Sequence, residues 1–277
     1  MEHWVSPISD ICRQAGEAIL GVYNNAEIQV DSKADDSPLT EADLASHGII
    51  VDGLSLLTPE VPILSEESAA ISFAIRQSWS TYWLVDPLDG TKEFIARNGE
   101  FTVNIALIEN GRAVLGAVYV PVKNVLYMGW QSKGESVAWR EESGIRIPIC
   151  VRPMGAEMTV VASRRHGSEA QERLMSHLHN TFPRLTTTSM GSSLKLCLVG
   201  EGKADFYPRL APTSEWDTAA AQAVVEAAGG QVVDTRLEPL RYNTRESLLN
   251  PYFYVLGDSH YDWRSLLGNA PLTPMEK

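Results

Sequence analysis

The sequence predicts a layered α/β sandwich in which helices lie between and outside two β-sheets. In the first half, two helical segments precede strand-like runs joined by short turns, which is typical of an antiparallel sheet. The second half alternates strand and helix patterns, which favours a mixed sheet. We therefore expect an αβαβα layer order, with an antiparallel sheet in the N-terminal half and a mixed sheet in the C-terminal half.

Two amphipathic helices are predicted before the first long strand. Ser6 to Tyr23 begins with Ser-Pro, and its apolar residues recur at helical spacing: Ile8, Ile11, Cys12, Ala15, Ile19 and Val22. Thr40 to Leu57 is the second helix, and it stops at a Thr-Pro pair. The apolar residues that indicate this helix are Leu44, Ile49, Ile50, Leu54 and Leu57. The polar stretch Asp31 to Pro38 between the helices is expected to be a loop.

Four strands are predicted in the middle of the chain: TYWLVDP, FTVNIALI, AVLGAVYV and NVLYMGW. Turn residues at Asn110-Gly111 and from Pro121 to Asn124 make these strands an antiparallel meander. The C-terminal half is predicted to contain strands at TVVAS, TTTS, ADFYP, QVVD and FYVLG, and helices near 169–179, from 192 and over 215–228. A break around 149–157 divides the chain into two subdomains, residues 1–150 and 151–277.

The composition excludes some classes of partner. With 277 residues, 44% of them hydrophobic, the chain lies in the ordinary globular range. Its formal charge of -12 disfavours nucleic-acid polymers, because binding to them needs a field of Lys and Arg. A small anionic substrate remains compatible with this charge if divalent cations lie between the substrate and the protein.

The cysteines and the apolar runs indicate the compartment. Cys12, Cys150 and Cys197 form no CxxC pattern, which favours reduced thiols in a cytoplasmic protein, and we expect all three to be packing residues. The N-terminus lacks the pattern of a signal peptide, and no apolar run is long enough to span a bilayer. Peripheral association with the cytoplasmic face of the inner membrane stays open, as does the oligomeric state.

Two acids follow a buried strand in the stretch WLVDPLDGT. The strand end aims Asp86 and Asp89 at one point, and the backbone carbonyl of Leu88 is a further oxygen. Oxygen ligands of this kind suit hard cations such as magnesium. An Asx-turn that caps the next helix explains an isolated DPxDG pattern equally well.

Three other acidic motifs each have an ordinary structural explanation. Glu66, in the SEE motif, is compatible with a solvated loop. Asp217, in the WDTAA motif, lies in the first turn of a predicted helix, where an acid is favourable to the helix dipole. Asp43, in the TEAD motif, completes a capping box with Thr40.

In this order and spacing, the motifs TEAD, SEE, DPLDGT and WDTAA resemble the signature set of the inositol monophosphatase superfamily of lithium-sensitive, magnesium-dependent phosphatases. The resemblance covers nearly the whole chain. The longer strings LVDPLDGTKEF, NGEFTVNIALI and SMGSSLKLCLVGEGKADFYPR look most like the CysQ-type bacterial 3'(2'),5'-bisphosphate nucleotidases of that superfamily. This resemblance implies a sugar-phosphatase type of fold and hydrolysis of adenosine 3',5'-bisphosphate to AMP and phosphate. It also implies activity on the 3'-phosphate of the related sulfated nucleotide.

The resemblance also implies roles for individual residues. Two or three magnesium ions would be bound by Glu66, Asp86, the carbonyl of Leu88, Asp89 and Asp217. The Asp43 carboxylate would accept the proton of Thr91 and so orient a metal-bound water for attack, and Glu66 belongs to the same catalytic set. No covalent phosphoenzyme is needed, because bound metals lower the pKa of water and stabilise the phosphoryl oxygens.

Substrate contacts are expected around the metal cluster and in the second half. At a predicted helix start, amides, hydroxyls and Lys195 suit a second phosphate or the ribose, although an ordinary N-cap with a solvated lysine explains the pattern equally well. Arg209 stands where inositol monophosphatases carry a glutamate for inositol hydroxyls, and an arginine suits an additional phosphate. The full expected set is Glu66, Leu88, Asp89, Gly90, Thr91, Gly191, Ser192, Ser193, Lys195, Arg209 and Asp217. Further contacts or a solvated loop are expected at Arg164, Arg165 and His166.

Two alternatives to a bisphosphate nucleotidase remain open at this point. One is a phosphatase for inositol or another sugar monophosphate. The other is a protein that senses the nucleotide without hydrolysing it. Turnover of adenosine 3',5'-bisphosphate compared with that of inositol 1-phosphate distinguishes a bisphosphate nucleotidase from a sugar monophosphatase. Magnesium-dependent phosphate release would exclude a sensor.

Overall fold

The computed structural model describes residues 1–25, 30–32, 38–162 and 169–268. The helices of these residues are α1 (Glu2–Tyr23), α2 (Glu41–Leu57), α3 (Phe73–Arg76), α4 (Thr91–Ile95), α5 (Glu169–Thr181), α6 (Leu194–Gly200), α7 (Trp216–Ala227) and α8 (Trp263–Leu267). The strands are β1 (Val30–Ser32), β2 (Pro38–Thr40), β3 (Ile63–Ser65), β4 (Thr81–Asp89), β5 (Thr102–Glu109), β6 (Arg112–Val120), β7 (Val125–Ser132), β8 (Glu135–Glu142), β9 (Ile145–Pro148), β10 (Glu157–Ala162), β11 (Arg184–Ser189), β12 (Phe206–Arg209), β13 (Gln231–Asp234) and β14 (Phe253–Leu256).

Two large sheets confirm the predicted fold class. The first has the order β3-β4-β5-β6-β7-β8-β9 and is antiparallel except for the parallel pair β3 and β4. The second has the order β11-β10-β12-β14-β13 and is mixed, because β10 pairs in parallel with β11 and β12 while β14 pairs antiparallel with its neighbours. Helices α1 and α2 pack on the outer face of the first sheet, α6 and α7 lie between the sheets, and α5 and α8 cover the second.

Helix α1 is longer than predicted. It begins at Glu2 rather than at Ser6, and Pro7 lies inside it. The missing N–H of Pro7 removes one backbone hydrogen bond near the helix start. The added turn brings Trp4 against Trp83, with ring centroids 5.8 Å apart. Burial of this aromatic surface offsets the lost hydrogen bond.

Helix α2 has the predicted bounds, with Thr40 as the N-cap. Leu44, one of the apolar residues that indicated this helix, does not face the core, because its side chain is 52% exposed. The buried face instead passes through Ala42, Ser46, Ile50 and Leu54, at a spacing of four residues. Leu44 lies between the first two of these positions and therefore points to the opposite side of the helix.

Strand β5 is buried on both faces. Val103, Ile105 and Leu107 contribute to the core under α1 and α2. Ala106 and Ile108 contribute to the core under α7. A strand covered by helices on both sides is the geometry of a sandwich interior rather than of a half-exposed sheet.

Helix α7 packs unusually close to the central sheet. Gly116 and Gly129 are register partners on β6 and β7. A Cβ on Gly116 would lie 2.0 Å from the carbonyl oxygen of Ala220, and one on Gly129 would lie 2.5 Å from Cα of Val224. Side chains at these positions would therefore push the helix away from the sheet, together with the acid in its first turn.

Several local predictions are corrected. The ends of the predicted loop from Asp31 to Pro38 pair as β1 and β2, and residues 33–37 lie outside the described part of the chain. Polarity indicates solvent exposure, and a surface ribbon of two strands is also polar. Strands β3, β8 and β9 were not predicted, since β3 is short and β8 and β9 carry the charged residues common on outer strands. Cys12 and Cys197 are buried as expected, but Cys150 is exposed.

The division into subdomains at residue 150 remains a proposal. Residues 149–156 form no helix or strand between β9 and β10. Helix α7, from the second half, nevertheless contacts strands β4 to β8 of the first half. Among the described residues, none of the helices is long and apolar enough to cross a membrane.

Candidate active site

The end of β4 places two acids at the edge of the central sheet. Asp86 pairs in register with Asn104, and Asp89 pairs with Thr102, so the register between β4 and β5 shifts between the two acids. Irregularities of this kind re-aim side chains near functional sites. The buried Leu88 donates its backbone N–H to Oδ1 of Asp86 at 3.1 Å. Both Asp86 and Asp89 thereby lie on the same side of the strand end.

Glu66 reaches the same place through β3. Ser65 pairs in parallel with Val85, so the next residue, Glu66, comes beside Asp86. A short 3-10 helix, Glu66–Ser68, begins there. The Glu66 carboxylate shares a hydrogen bond with Asp86 and helps to raise its pKa. The acid predicted from the SEE motif is therefore part of the cluster.

The third contribution comes from the first turn of α7. Asp217 accepts a hydrogen bond from the backbone N–H of Ser214 at 2.8 Å, which fixes its carboxylate. One carboxylate oxygen from each of Asp86, Asp89 and Asp217 lies within 4.8 Å of the other two. Residues that are up to 131 positions apart in the chain therefore converge on one point.

The crowding of these acids is visible in their pKa values. Burial and the neighbouring Glu66, Asp89 and Asp217 carboxylates raise the pKa of Asp86 well above its usual range. Removal from water, together with the Asp89 charge, raises the pKa of Asp217 to about 8. Like charges held this close in a buried position disfavour their own ionisation. A bound cation relieves this repulsion.

The donor set fits magnesium. Carboxylate oxygens and a backbone carbonyl are hard ligands, and magnesium is commonly bound by few carboxylates together with water and substrate oxygens. Among the described residues, the cluster is formed by carboxylates, whereas thiol and imidazole groups would favour softer metals. The acids predicted as ligands, Asp86, Asp89 and Asp217, are thus brought together, with Glu66 beside them.

Asp43 makes the contacts that both of its predicted roles require. Its Oδ2 accepts hydrogen bonds from the backbone N–H of Thr40 at 2.8 Å and from the Thr40 hydroxyl at 2.6 Å. Its Oδ1 lies 3.3 Å from the hydroxyl of Thr91, which donates to it. The Thr91 hydroxyl also lies 3.4 Å from the carbonyl oxygen of Leu88. One carboxylate therefore caps α2 and contacts the predicted catalytic threonine.

Strand β5 supplies residues that the sequence analysis missed. The Thr102 hydroxyl and the Asn104 amide donate to Oδ2 of Asp89 at 3.4 and 3.3 Å. The backbone N–H of Ser193 donates to the same oxygen at 2.6 Å. Polar side chains in the otherwise apolar run FTVNIALI were the available signal, because a buried amide needs a partner.

A pocket of about 240 Å³ adjoins the acidic cluster. Its lining contains Asp89, Gly90 and Asp217 from the cluster side, and the predicted substrate residues from the second half: Gly191, Ser192, Ser193, Lys195 and Arg209. Lys92, which was not predicted, also lines it, as do the aromatic residues Tyr207 and Phe253. The pocket therefore combines metal-ligand acids, cations and aromatic surface.

The two cations of the predicted substrate set differ in environment. Lys195 is 9% exposed, and its ammonium group donates to the carbonyl oxygens of Ser192 and Met190 at 2.8 and 3.2 Å. Burial lowers its pKa to about 8. Arg209 is half-buried and donates through one terminal nitrogen to the carbonyl oxygen of Pro212 at 2.9 Å. The alternative of a solvated lysine is therefore not observed for Lys195.

The predicted phosphate-binding turn is already hydrogen-bonded. The backbone N–H of Gly191 donates to the Glu100 carboxylate at 2.7 Å, and that of Ser193 donates to Asp89. The Ser192 hydroxyl lies 2.8 Å from the Thr102 hydroxyl. Helix α6 begins at Leu194 rather than at Ser192. The further contacts considered at Arg164, Arg165 and His166 lie outside the described residues.

Comparison with known proteins agrees with the geometry. The 3'(2'),5'-bisphosphate nucleotidase CysQ of Escherichia coli (strain K12) is 51% identical over 249 residues, which cover 90% of this chain and 97% of that protein. The CysQ of Buchnera aphidicola is 43% identical over 259 residues, with 91% and 94% covered.

A solved structure shares the fold. The crystal structure of CysQ from Bacteroides thetaiotaomicron, a bacterial member of the inositol monophosphatase family, matches with a TM-score of 0.79 at 41% identity, covering 92% of this chain and 98% of that one. The model of the inositol monophosphatase family matches residues 1–262. These matches confirm the predicted resemblance, and the chain belongs to the inositol monophosphatase family.

Proposed function

We propose that this protein is a magnesium-dependent 3'(2'),5'-bisphosphate nucleotidase that converts adenosine 3',5'-bisphosphate to AMP and phosphate. The 3'-phosphate of the related sulfated nucleotide is a second substrate. The observation that carries the proposal is an acidic cluster that opens into a pocket lined by Lys195 and Arg209. It occurs in a chain that is half identical to proteins named as nucleotidases of this kind.

The metal ligands of the proposal are Asp86, Asp89, Asp217, Glu66 and the carbonyl oxygen of Leu88. Together they would hold two or three magnesium ions. When bound, magnesium supplies a water of lowered pKa and neutralises charge on the phosphoryl oxygens. The raised pKa values of Asp86 and Asp217 support this assignment, since a cation removes their cause.

Asp43 and Thr91 prepare the attack on phosphorus. The Thr91 hydroxyl donates its proton to Oδ1 of Asp43, so the lone pairs of the threonine oxygen are available to the attacking water. Thr40 holds Oδ2 of Asp43 and prevents the carboxylate from rotating away. The pair thereby orients the water and accepts its proton as the phosphate ester is cleaved.

The pocket recognises the rest of the nucleotide. Lys195 and Arg209 place positive charge in the lining of the pocket, where the second phosphate of the substrate is held. Tyr207 and Phe253 offer aromatic surface in the same pocket. An inositol monophosphate has one phosphate only and offers these cations no second phosphate.

The test is inorganic phosphate release from adenosine 3',5'-bisphosphate, with inositol 1-phosphate and fructose 1,6-bisphosphate in parallel, each with magnesium and with chelator. We expect magnesium-dependent release with a strong preference for the nucleotide. A preference for inositol 1-phosphate would retain the metal site and overturn the substrate assignment. No release from any of the three would favour a nucleotide sensor.

A further inference from the structure

A loop from residue 241 to 250 surrounds the first turn of α7. The Tyr242 hydroxyl lies 3.2 Å from the hydroxyl of Thr218. The Asn250 amide donates to the carbonyl oxygen of Ser214 at 2.7 Å and to the Thr218 hydroxyl at 3.1 Å. The backbone N–H of Glu215 donates to the carbonyl oxygen of Leu248 at 2.8 Å. The turn that carries Asp217 is therefore held by this loop.

Asn243 makes the central contacts of the loop. Its backbone N–H donates to both carboxylate oxygens of the buried Glu215, at 3.0 and 2.9 Å. Glu215 is the N-cap of α7 and lies two residues before Asp217. Asn243 adopts a left-handed backbone conformation with φ of 55°, which asparagine tolerates better than most residues.

The side chain of Asn243 pairs with Arg76 in a different part of the fold. A terminal nitrogen of Arg76 donates to Oδ1 of Asn243 at 2.5 Å, and Nδ2 of Asn243 donates to the carbonyl oxygen of Arg76 at 2.5 Å. The other terminal nitrogen of Arg76 donates to the carbonyl oxygen of Glu246. Arg76 is 1% exposed, so its side of the contact is shielded from water.

Arg76 belongs to the segment that carries Glu66. It ends α3, which lies between the 3-10 helix Glu66–Ser68 and strand β4. Glu66 and Asp217 are both carboxylates of the proposed metal site and carry like charges when they are ionised. Their repulsion pushes the two segments apart, and a contact that joins the segments opposes it.

We propose that Arg76 and Asn243 are positioning residues of the metal site, which hold the Glu66 segment against the Asp217 turn at the spacing that a shared cation needs. The proposal rests on the proposed function in that it takes both acids as metal ligands. Partners outside the ligand shell commonly change metal affinity by about 10- to 100-fold when they are removed.

The variant that tests it is Asn243→Gly. Glycine keeps the left-handed backbone and the N–H bond to Glu215, and it removes only the side-chain link to Arg76. We expect calorimetric titration with Mg²⁺ to give about tenfold weaker binding. Asn124→Gly is the matched control, since Asn124 also has a left-handed backbone, with φ of 48°. Its side chain accepts one hydrogen bond from the Tyr119 hydroxyl. In the described part of the chain, none of the hydrogen bonds of Asn124 involves an acid of the cluster.

A kinetic measurement separates positioning from loss of fold. In Asn243→Gly, the magnesium concentration needed for half-maximal phosphate release should rise about tenfold, while kcat at saturating magnesium stays within about threefold of wild type. Arg76→Met is the second variant and should show the same shift, with Arg76→Lys intermediate because it retains one donor group. Melting temperatures identify any variant that is merely unfolded.

The outcomes are distinct from those of the proposed function. A folded Asn243→Gly protein that binds Mg²⁺ with wild-type affinity would overturn the positioning role. A wild-type protein that binds Mg²⁺ but releases no phosphate from the nucleotide would overturn the proposed function and leave the positioning role intact. If Arg76→Met does not fold, Asn243→Gly alone decides.

Discussion

The acidic cluster and the cationic wall of the same pocket, which is the part of the lining that contains Lys195 and Arg209, differ in their hydrogen bonds. The acids Asp86, Asp89 and Asp217 repel one another, so their arrangement is held by hydrogen bonds from the surrounding backbone and side chains. In the wall, the side chains of Lys195 and Arg209 donate hydrogen bonds to backbone carbonyl oxygens. The cluster is thus arranged to bind a cation, whereas the cations of the wall already have hydrogen-bond partners in the protein.

We infer from this difference that the acidic cluster carries the reaction and that the wall determines the preference between substrates. Removing an acid should abolish the reaction while leaving the fold intact or more stable, because repulsion in the cluster decreases. Removing a wall cation should change the preference between substrates and leave the reaction itself intact. The backbone N–H of Ser193, two residues before Lys195, donates to Asp89 and joins the two regions.

The largest effect is expected for Asp89→Asn. It should lower kcat/KM for the bisphosphate by about a thousandfold, equivalent to about 4 kcal/mol of transition-state stabilisation. The amide oxygen can still accept the Ser193 N–H, and one repelling charge is gone, so the melting temperature should stay constant or rise. Steady-state kinetics and thermal unfolding check both parts.

Asp52→Asn on the exposed side of α2 is the matched control for loss of one carboxylate, and it should retain activity. Unfolding of Asp89→Asn would mean that this acid is structural, and the contrast between cluster and wall would then fail.

Removal of the Thr91 hydroxyl comes next. Thr91→Ala should lower kcat by about a hundredfold, since general acid–base groups contribute roughly 10²- to 10⁴-fold. Thr91→Ser keeps the hydroxyl that donates to Asp43 and should retain most of the activity. Equal activity of the alanine and serine variants, measured as kcat at saturating magnesium, would remove Thr91 from the mechanism.

Arg209→Met tests the wall. It should lower kcat/KM for adenosine 3',5'-bisphosphate by about tenfold, since a hydrogen bond to a charged group is worth roughly 1.5–3 kcal/mol. Activity on inositol 1-phosphate should change less than about twofold, because it has no second phosphate. Arg184→Met, which removes an exposed arginine on β11, is the control. A parallel loss on both substrates would place Arg209 in the cluster's chemistry rather than in specificity.

The smallest effect is the pH dependence of substrate binding. Burial lowers the pKa of Lys195 to about 8, so its positive charge is present below that pH and is lost above it. KM for the bisphosphate should therefore rise severalfold as the pH increases from about 7 to 9. Lys195→Met should lack this part of the profile, and an identical profile in both proteins would contradict the assignment.

The pH dependence of stability that comes from Lys195 has the opposite sign to the pH dependence of substrate binding. The folded pKa of Lys195 lies below its ordinary value of 10.5, so the unfolded chain binds more protons between about pH 8 and 10.5. The contribution of Lys195 to the free energy of unfolding therefore becomes more favourable as the pH rises through this range. Thermal unfolding of wild type and Lys195→Met as a function of pH measures the difference.

Much of the site could be predicted because it is encoded locally. Asp86 and Asp89 lie in one turn, and the TEAD, SEE and WDTAA motifs each place an acid at the start of a helix or at the end of a strand. The Asn110-Gly111 turn was likewise predictable, since both residues adopt positive φ between β5 and β6. The exposure of Leu44 and of Cys150 was not predicted, because the burial of a side chain depends on which face of its segment a neighbouring element covers.

The family, the fold class and the acids of the cluster could be predicted from the sequence, because periodicity and short motifs depend on neighbouring residues. The contacts of Asp89 with the Ser193 N–H, Thr102 and Asn104, and the contact of Arg76 with Asn243, became known from the folded chain. These contacts join residues that are distant in the chain. No local pattern encodes these contacts, or the close packing of α7 on Gly116 and Gly129.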